Sequence, residues 1–148
     1  MANKLDFDIF TAYRDRAITK RHTRSEGKYR VLKSRNIGSN EIINIPDYDC
    51  YMDDISEFGV SKYLDAENCY LVPNLTYYPR ACKMPKGCIA DGSVAILTPK
   101  NETSISEKDL AYYATDEFTE FYKIARNNGT RSLNIDNNSV FFFGVLKK

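Results

Sequence analysis

Cys88-Ile89-Ala90-Asp91-Gly92-Ser93-Val94-Ala95-Ile96-Leu97 sets two short apolar runs on either side of an Asp-Gly pair. Asp-Gly readily takes the positive φ values of a tight type I′ turn, so the stretch predicts a β-hairpin with an aliphatic second strand. Further strands are predicted at Tyr29-Arg30-Val31-Leu32-Lys33, Ile42-Ile43-Asn44-Ile45 and Tyr70-Leu71-Val72, each rich in β-branched or aromatic residues and closed by Asn, Gly or Pro. The last apolar run, Val140-Phe141-Phe142-Phe143-Gly144-Val145, is too short to span a membrane and reads as a buried strand.

Helix signals lie between these strands. Ser106 followed by Asp109 resembles a capping box opening a helix through Leu110 and Tyr113. A second helix is predicted after Thr115, with Asp116 and Glu117 in its first turn and Phe118, Phe121, Tyr122 and Ala125 on one face as core packing. Asn127-Asn128-Gly129 should end it, since Gly suits the left-handed cap. The expected fold class is therefore α/β of the α+β kind. One domain spans residues 1–148, a mixed or antiparallel twisted sheet with a few helices, preceded by a flexible tail over residues 1–8.

A length of 148 residues suits one core, able to bury about two thirds of the unfolded surface. A hydrophobic fraction of 43% with 11 Tyr and 8 Phe argues against disorder. No apolar run approaches a membrane span, and Met1-Ala2-Asn3-Lys4-Leu5-Asp6 lacks the apolar core of a secretory signal, so a cytoplasmic protein without a membrane partner is expected. Cys50, Cys69, Cys82 and Cys88 have no zinc-motif spacing and only His22 to assist them, so they are expected as reduced, mostly buried thiols with no metal.

Charge is segregated along the chain. Arg14 to Arg35 carries nine Lys/Arg against Asp15 and Glu26, whereas Glu41 to Glu67 carries eight Asp/Glu against Lys62, in a protein of net charge +1. This alternation fits one domain with a basic side and an acidic side. A local positive field favours a polyanion such as nucleic acid, unless the acidic segment lies against it and cancels it.

Catalytic signatures are scarce. The glycines, Gly27, Gly38, Gly59, Gly87, Gly92, Gly129 and Gly144, form no Gly-x-Gly loop, so neither a dinucleotide fingerprint nor a phosphate loop is present. No Pro-Pro pair occurs. Pro46-Asp47 and Glu26-Gly27-Lys28 hold the pieces of a metal-dependent nuclease motif in reversed order. His22 sits among cations and reads as a polar contact rather than a general base. No catalytic residue is assigned.

Three segments mix cations with amides, the combination that reads base edges: Arg35 to Asn40, Pro73 to Arg80 and Arg126 to Asn134. Each alone is also an ordinary surface turn, because Asn, Gly and Ser are turn residues. Together with Leu71-Val72-Pro73-Asn74-Leu75-Thr76-Tyr77, Asp91 to Leu97, and Phe121 to Ile135, the chain resembles the target recognition domain of restriction-modification adenine methyltransferases. Arg14-Asp15-Arg16-Ala17-Ile18-Thr19 and the strand from Tyr29 to Lys33 resemble the opening of that domain, and the order of elements is similar to the recognition domains of Type I specificity subunits.

The resemblance implies an α/β domain that selects a double-stranded DNA sequence for a methyltransferase catalytic domain or subunit. S-adenosylmethionine would be held by that partner and not by this chain. In this reading Arg14, Arg16, Lys20, Arg21 and Arg24 grip phosphates, and Arg35, Asn36, Asn74, Tyr77, Arg80, Arg131 and Asn134 read bases. The alternatives are a small metal-dependent nuclease of a restriction system and a protein-protein interaction module with a basic docking face.

Overall fold

The computed structural model describes residues 5–6, 9–74, 79–100, 105–129, 143 and 145–146. In chain order its strands are β1 (Leu5–Asp6), β2 (Phe10–Tyr13), β3 (Tyr29–Leu32), β4 (Cys50–Met52), β5 (Tyr70–Pro73), β6 (Cys82–Lys83), β7 (Cys88–Ala90), β8 (Val94–Pro99) and β9 (Val145–Leu146), with helices α1 (Glu107–Tyr113) and α2 (Asp116–Gly129) between β8 and β9. A four-stranded antiparallel sheet has the order β2-β8-β5-β6, a three-stranded mixed sheet the order β4-β3-β7, and β1 pairs with β9.

The four-stranded sheet is the middle layer, which explains why Val94 to Leu97 is apolar without alternation. Val94 and Ile96 of β8, with Leu71 of β5, pack on Val31, Leu32 and Ile89 of the three-stranded sheet. Ala95 and Leu97, with Tyr70 and Val72, pack on Leu110, Tyr113, Phe118 and Tyr122 of the helices and on Phe143. A strand buried on both faces gains nothing from polar residues at either register. The expected aromatic packing on α2 holds at Phe118 and Tyr122, whose rings stack at 5.8 Å and 17°. Tyr122 and Tyr113 also meet the ring of Phe143, at 4.9 Å and 5.3 Å.

The hairpin is not formed. β7 runs parallel to β3, with Val31 opposite Ile89, whereas β8 pairs antiparallel with β2 and β5. Asp91-Gly92 therefore carries the chain from one sheet to the other. Gly92 does not adopt a positive φ. Val94 N–H donates to the Asp91 carbonyl at 3.1 Å, and the Asp91 carboxylate accepts from Ser93 N–H at 2.9 Å, a side-chain-stabilised turn. The approach at Gly92 is close, because a Cβ there would lie 3.1 Å from Arg16 Cα and 3.3 Å from the Asp15 carbonyl.

Three further expectations change. Ile42 to Ile45 is not a strand; only Ile42 bridges, to Ile37. Its backbone bonds are taken by neighbours outside any ladder: Ile43 C=O accepts from Asn36 Nδ2 at 2.9 Å, and Ile45 N–H donates to Asp49 at 3.0 Å. Leu5–Asp6, within the expected tail, is a strand paired with Val145–Leu146. The basic and acidic segments are neighbours and not opposite sides, because β3 pairs with β4 directly. In the final apolar run Phe143 is buried and β9 starts at Val145, while Val140 to Phe142 lie outside the described residues.

The capping box forms as predicted. Asp109 N–H donates to Ser106 Oγ at 3.2 Å, and Ser106 N–H donates back to Asp109 at 2.9 Å. Ser106→Ala should lower stability by about 1 kcal/mol in urea unfolding, with an unchanged midpoint showing that the box contributes nothing. All four cysteines are free. Burial pushes the Cys82 thiol up to about 12 and raises that of Cys88, the opposite of what a nucleophilic thiolate needs. The protein is a single mixed α/β domain, and no helix among its described residues is long and apolar enough to cross a membrane.

Candidate nucleic-acid interface

The connection from β2 to β3 holds most of the basic block. Its geometry is set by Asp15, which is buried and accepts from Ala17 N–H and Val60 N–H at 3.0 Å each. Arg14, half-buried, donates to the Gly92 carbonyl at 3.2 Å and so ties this connection to the crossover turn. Beyond it a 3-10 turn, Lys20–His22, is closed by His22, whose Nδ1 accepts from Thr19 N–H at 3.0 Å and whose ring lies 5.1 Å from that of Phe58. Arg24 then exchanges backbone hydrogen bonds with Tyr51 of β4 at 2.8 and 2.7 Å. The backbone is anchored at both ends, and Arg16, Lys20, Arg21 and Arg24 are left exposed between them.

Pairing with β4 cancels only part of this charge. Arg30 is consumed: it reaches Asp49 at 3.1 Å in a largely enclosed ion pair and donates to Asn44 at 2.6 Å. Arg24 lies 3.7 Å from Asp53, but both side chains are mostly exposed, so the attraction is weak. Lys33 donates to the Tyr48 carbonyl at 2.5 Å and stands 3.8 Å over the Tyr48 ring. Arg16, Lys20 and Arg21 have no carboxylate partner among the described residues. The phosphate-gripping candidates therefore divide, with Arg14 acting as an anchor and the other four presented to solvent.

Of the base-reading candidates Arg35, Asn36 and Arg80 meet at the 3-10 turn Ser34–Asn36, and only Arg35 among the described ones is exposed. Arg35 is exposed at the end of the 3-10 turn Ser34–Asn36, its guanidinium 4.9 Å over the Tyr48 ring and its N–H donating to Tyr48 Oη at 3.3 Å. Asn36 is 0% exposed and internally committed. Its Oδ1 accepts from Lys33 N–H at 3.0 Å, and its Nδ2 donates to the Ile43 carbonyl at 2.9 Å and to Asp49 at 2.6 Å. Asn74 is likewise buried, 2% exposed. Arg80 is half-buried, donating to the carbonyls of Ile37 at 2.6 Å and Ser34 at 3.3 Å, and burial pulls its pKa below the ordinary guanidinium value. Asn36 and Asn74 are enclosed, and an enclosed amide cannot also reach a base edge, whereas Arg80 is engaged by backbone carbonyls. Tyr77, Arg131 and Asn134 lie outside the described residues.

Tyr48 is the residue that sequence reasoning missed. It lies in Asp47-Tyr48-Asp49 within the acidic segment, with no local hint that its ring organises Lys33 and Arg35 from across the fold. Beside it opens a cleft of about 540 Å³, lined by Thr19, Lys20 and Thr23 to Ser25 from the basic connection and by Lys33 and Asp47 to Asp49. Among the described residues no three His, Cys, Asp or Glu side chains gather to hold a metal ion. Comparison with known proteins finds no matching family model and no matching curated protein.

Proposed function

We propose that this chain is a double-stranded DNA recognition domain serving a restriction-modification adenine methyltransferase, whose catalytic domain or subunit supplies S-adenosylmethionine. The observation that carries the DNA-binding part is the exposed row Arg16, Lys20, Arg21 and Arg24 on an anchored connection, three of its members without a carboxylate partner among the described residues. A phosphate backbone satisfies such a row without demanding sequence. Arg35, presented on Tyr48, stands beside it as the described residue best disposed to reach a base. The methyltransferase part rests on the resemblance of Arg14 to Thr19, Leu71 to Tyr77 and Phe121 to Ile135 to the recognition domains of that family.

Fluorescence anisotropy of a labelled duplex at rising salt tests the reading. With Arg16, Lys20, Arg21, Arg24 and Arg35 on phosphates or bases, the log-log slope should be about −4. A flat salt response ends it. The docking-module alternative is favoured by Asp53, Asp54 and Glu57, exposed beside the cationic row in a position to meet it on a second copy. Concentration-dependent sedimentation that duplex DNA leaves unchanged would select that alternative.

A further inference from the structure

The cleft beside Tyr48 is bipolar, and its two poles differ in how far their groups are already engaged. Of its three carboxylates, Asp49 is committed to Arg30, Asn36 and Ile45 N–H, and Asp91 accepts from Ser93 N–H and Oγ at 2.9 and 2.5 Å. Asp47 alone has no hydrogen-bond partner among the described residues; it sits at φ 66°, a left-handed conformation that Asp tolerates. On the cationic side Lys20 and the Ser25 hydroxyl are equally without partners among the described residues, and Arg24 has only its exposed contact with Asp53. Lys33 also lines the cleft, on the side of Asp47, where the Tyr48 carbonyl and ring engage its ammonium. A volume of about 540 Å³ falls within the range of small-molecule sites, roughly 300–1,000 Å³.

A ligand that satisfies both poles carries an anion at one end and a hydrogen-bond donor at the other. We propose that this cleft binds a nucleotide with an amino-bearing base, its phosphate against Lys20 and Arg24 and its exocyclic amine donating to Asp47. Carboxylates accept from the cytosine amino group in this way, and thymine, which has a carbonyl there, offers no such donor. The nucleotide is either free or an unpaired residue of a DNA strand. Arg16 and Arg21 lie outside the cleft, whereas Lys20 and Arg24 belong both to it and to the cationic row.

Calorimetric titration with deoxycytidine and thymidine 5′-monophosphates tests the site. The wild-type protein should bind the cytidine nucleotide about tenfold more tightly, the discrimination of one good base-edge contact. Asp47→Gly should erase that preference, whereas Lys20→Ala should weaken both ligands alike; Gly suits the left-handed backbone at 47 and neither side chain has a partner among the described residues, so both variants should remain folded. Equal wild-type affinity for the two nucleotides, or no saturable binding of either, overturns the proposal even where duplex DNA still binds. A duplex with one unpaired deoxycytidine, compared with its fully paired counterpart, identifies the source: tighter binding of the former assigns the site to a DNA strand, and equal binding to the free nucleotide.

Discussion

Asn36→Asp should destabilise the protein by about 3–5 kcal/mol at neutral pH, the cost of an uncompensated charge in an enclosed site. Asn36 Nδ2 stands 2.6 Å from Asp49 and 2.9 Å from the Ile43 carbonyl, so the substitution replaces a donor to two acceptors with a second carboxylate. Arg30 already serves Asp49 at 3.1 Å and can compensate only one charge. The pH dependence has a definite sign. Burial and the like charge both raise the folded-state pKa of the introduced acid above its unfolded value of about 3.9, so the folded state holds the extra proton. The deficit against wild type is therefore fully present above the raised pKa and shrinks as pH falls toward about 4, where a protonated Asp can donate to Asp49. Urea midpoints of both proteins across the acid range measure this. A variant as stable as wild type at pH 7 would mean that the Lys33-Asn36-Asp49-Arg30 network does not hold the fold.

The same network explains where sequence reading succeeds and fails. The helices were legible because their signals are local: Ser106 and Asp109 satisfy each other across three residues, and Phe118 N–H donates to Thr115 Oγ1 at 3.2 Å at the start of α2. β3 and β5 were legible from composition. Ile42 to Ile45 has the same composition, but Asn36 and Asp49 occupy its backbone partners, a competition that no window on the segment contains. Asp91-Gly92 carried a true turn signal and a misleading partner assignment. Its second strand pairs instead with β2 and β5, which come from distant parts of the chain.

The candidate site was legible only in outline for the same reason. A run of cations is visible in sequence, whereas which of them a neighbouring strand neutralises depends on β3 pairing with β4. That pairing removes Arg30 and leaves Arg16, Lys20 and Arg21. Asn36 and Asn74 are of a residue type that suits base edges and also suits turns, and both are buried; Arg80 is spent on the Ile37 and Ser34 carbonyls.

Reversing the three unpartnered cations together, Arg16→Glu, Lys20→Glu and Arg21→Glu, should lower duplex affinity by about 500-fold near 0.1 M salt and flatten the log-log salt slope by about 2.7. The figure follows from three phosphate contacts, each releasing about 0.9 of a counterion, and repulsion from the new carboxylates adds to it. Stability should stay within about 0.5 kcal/mol, because these side chains are exposed and make no ion pair among the described residues. The loss should be the same for every duplex sequence, since a phosphate contact carries no base information. Arg35→Ala should behave differently. Its guanidinium is held over Tyr48 beside the row, so its removal should relax preference at one position and leave the remaining sequence dependence intact. Anisotropy titrations over a randomised duplex set distinguish the two patterns. If the triple variant binds DNA as tightly as wild type, the cationic row does not grip phosphates, and the exposed acids Asp53, Asp54 and Glu57 become its expected partners on a second copy.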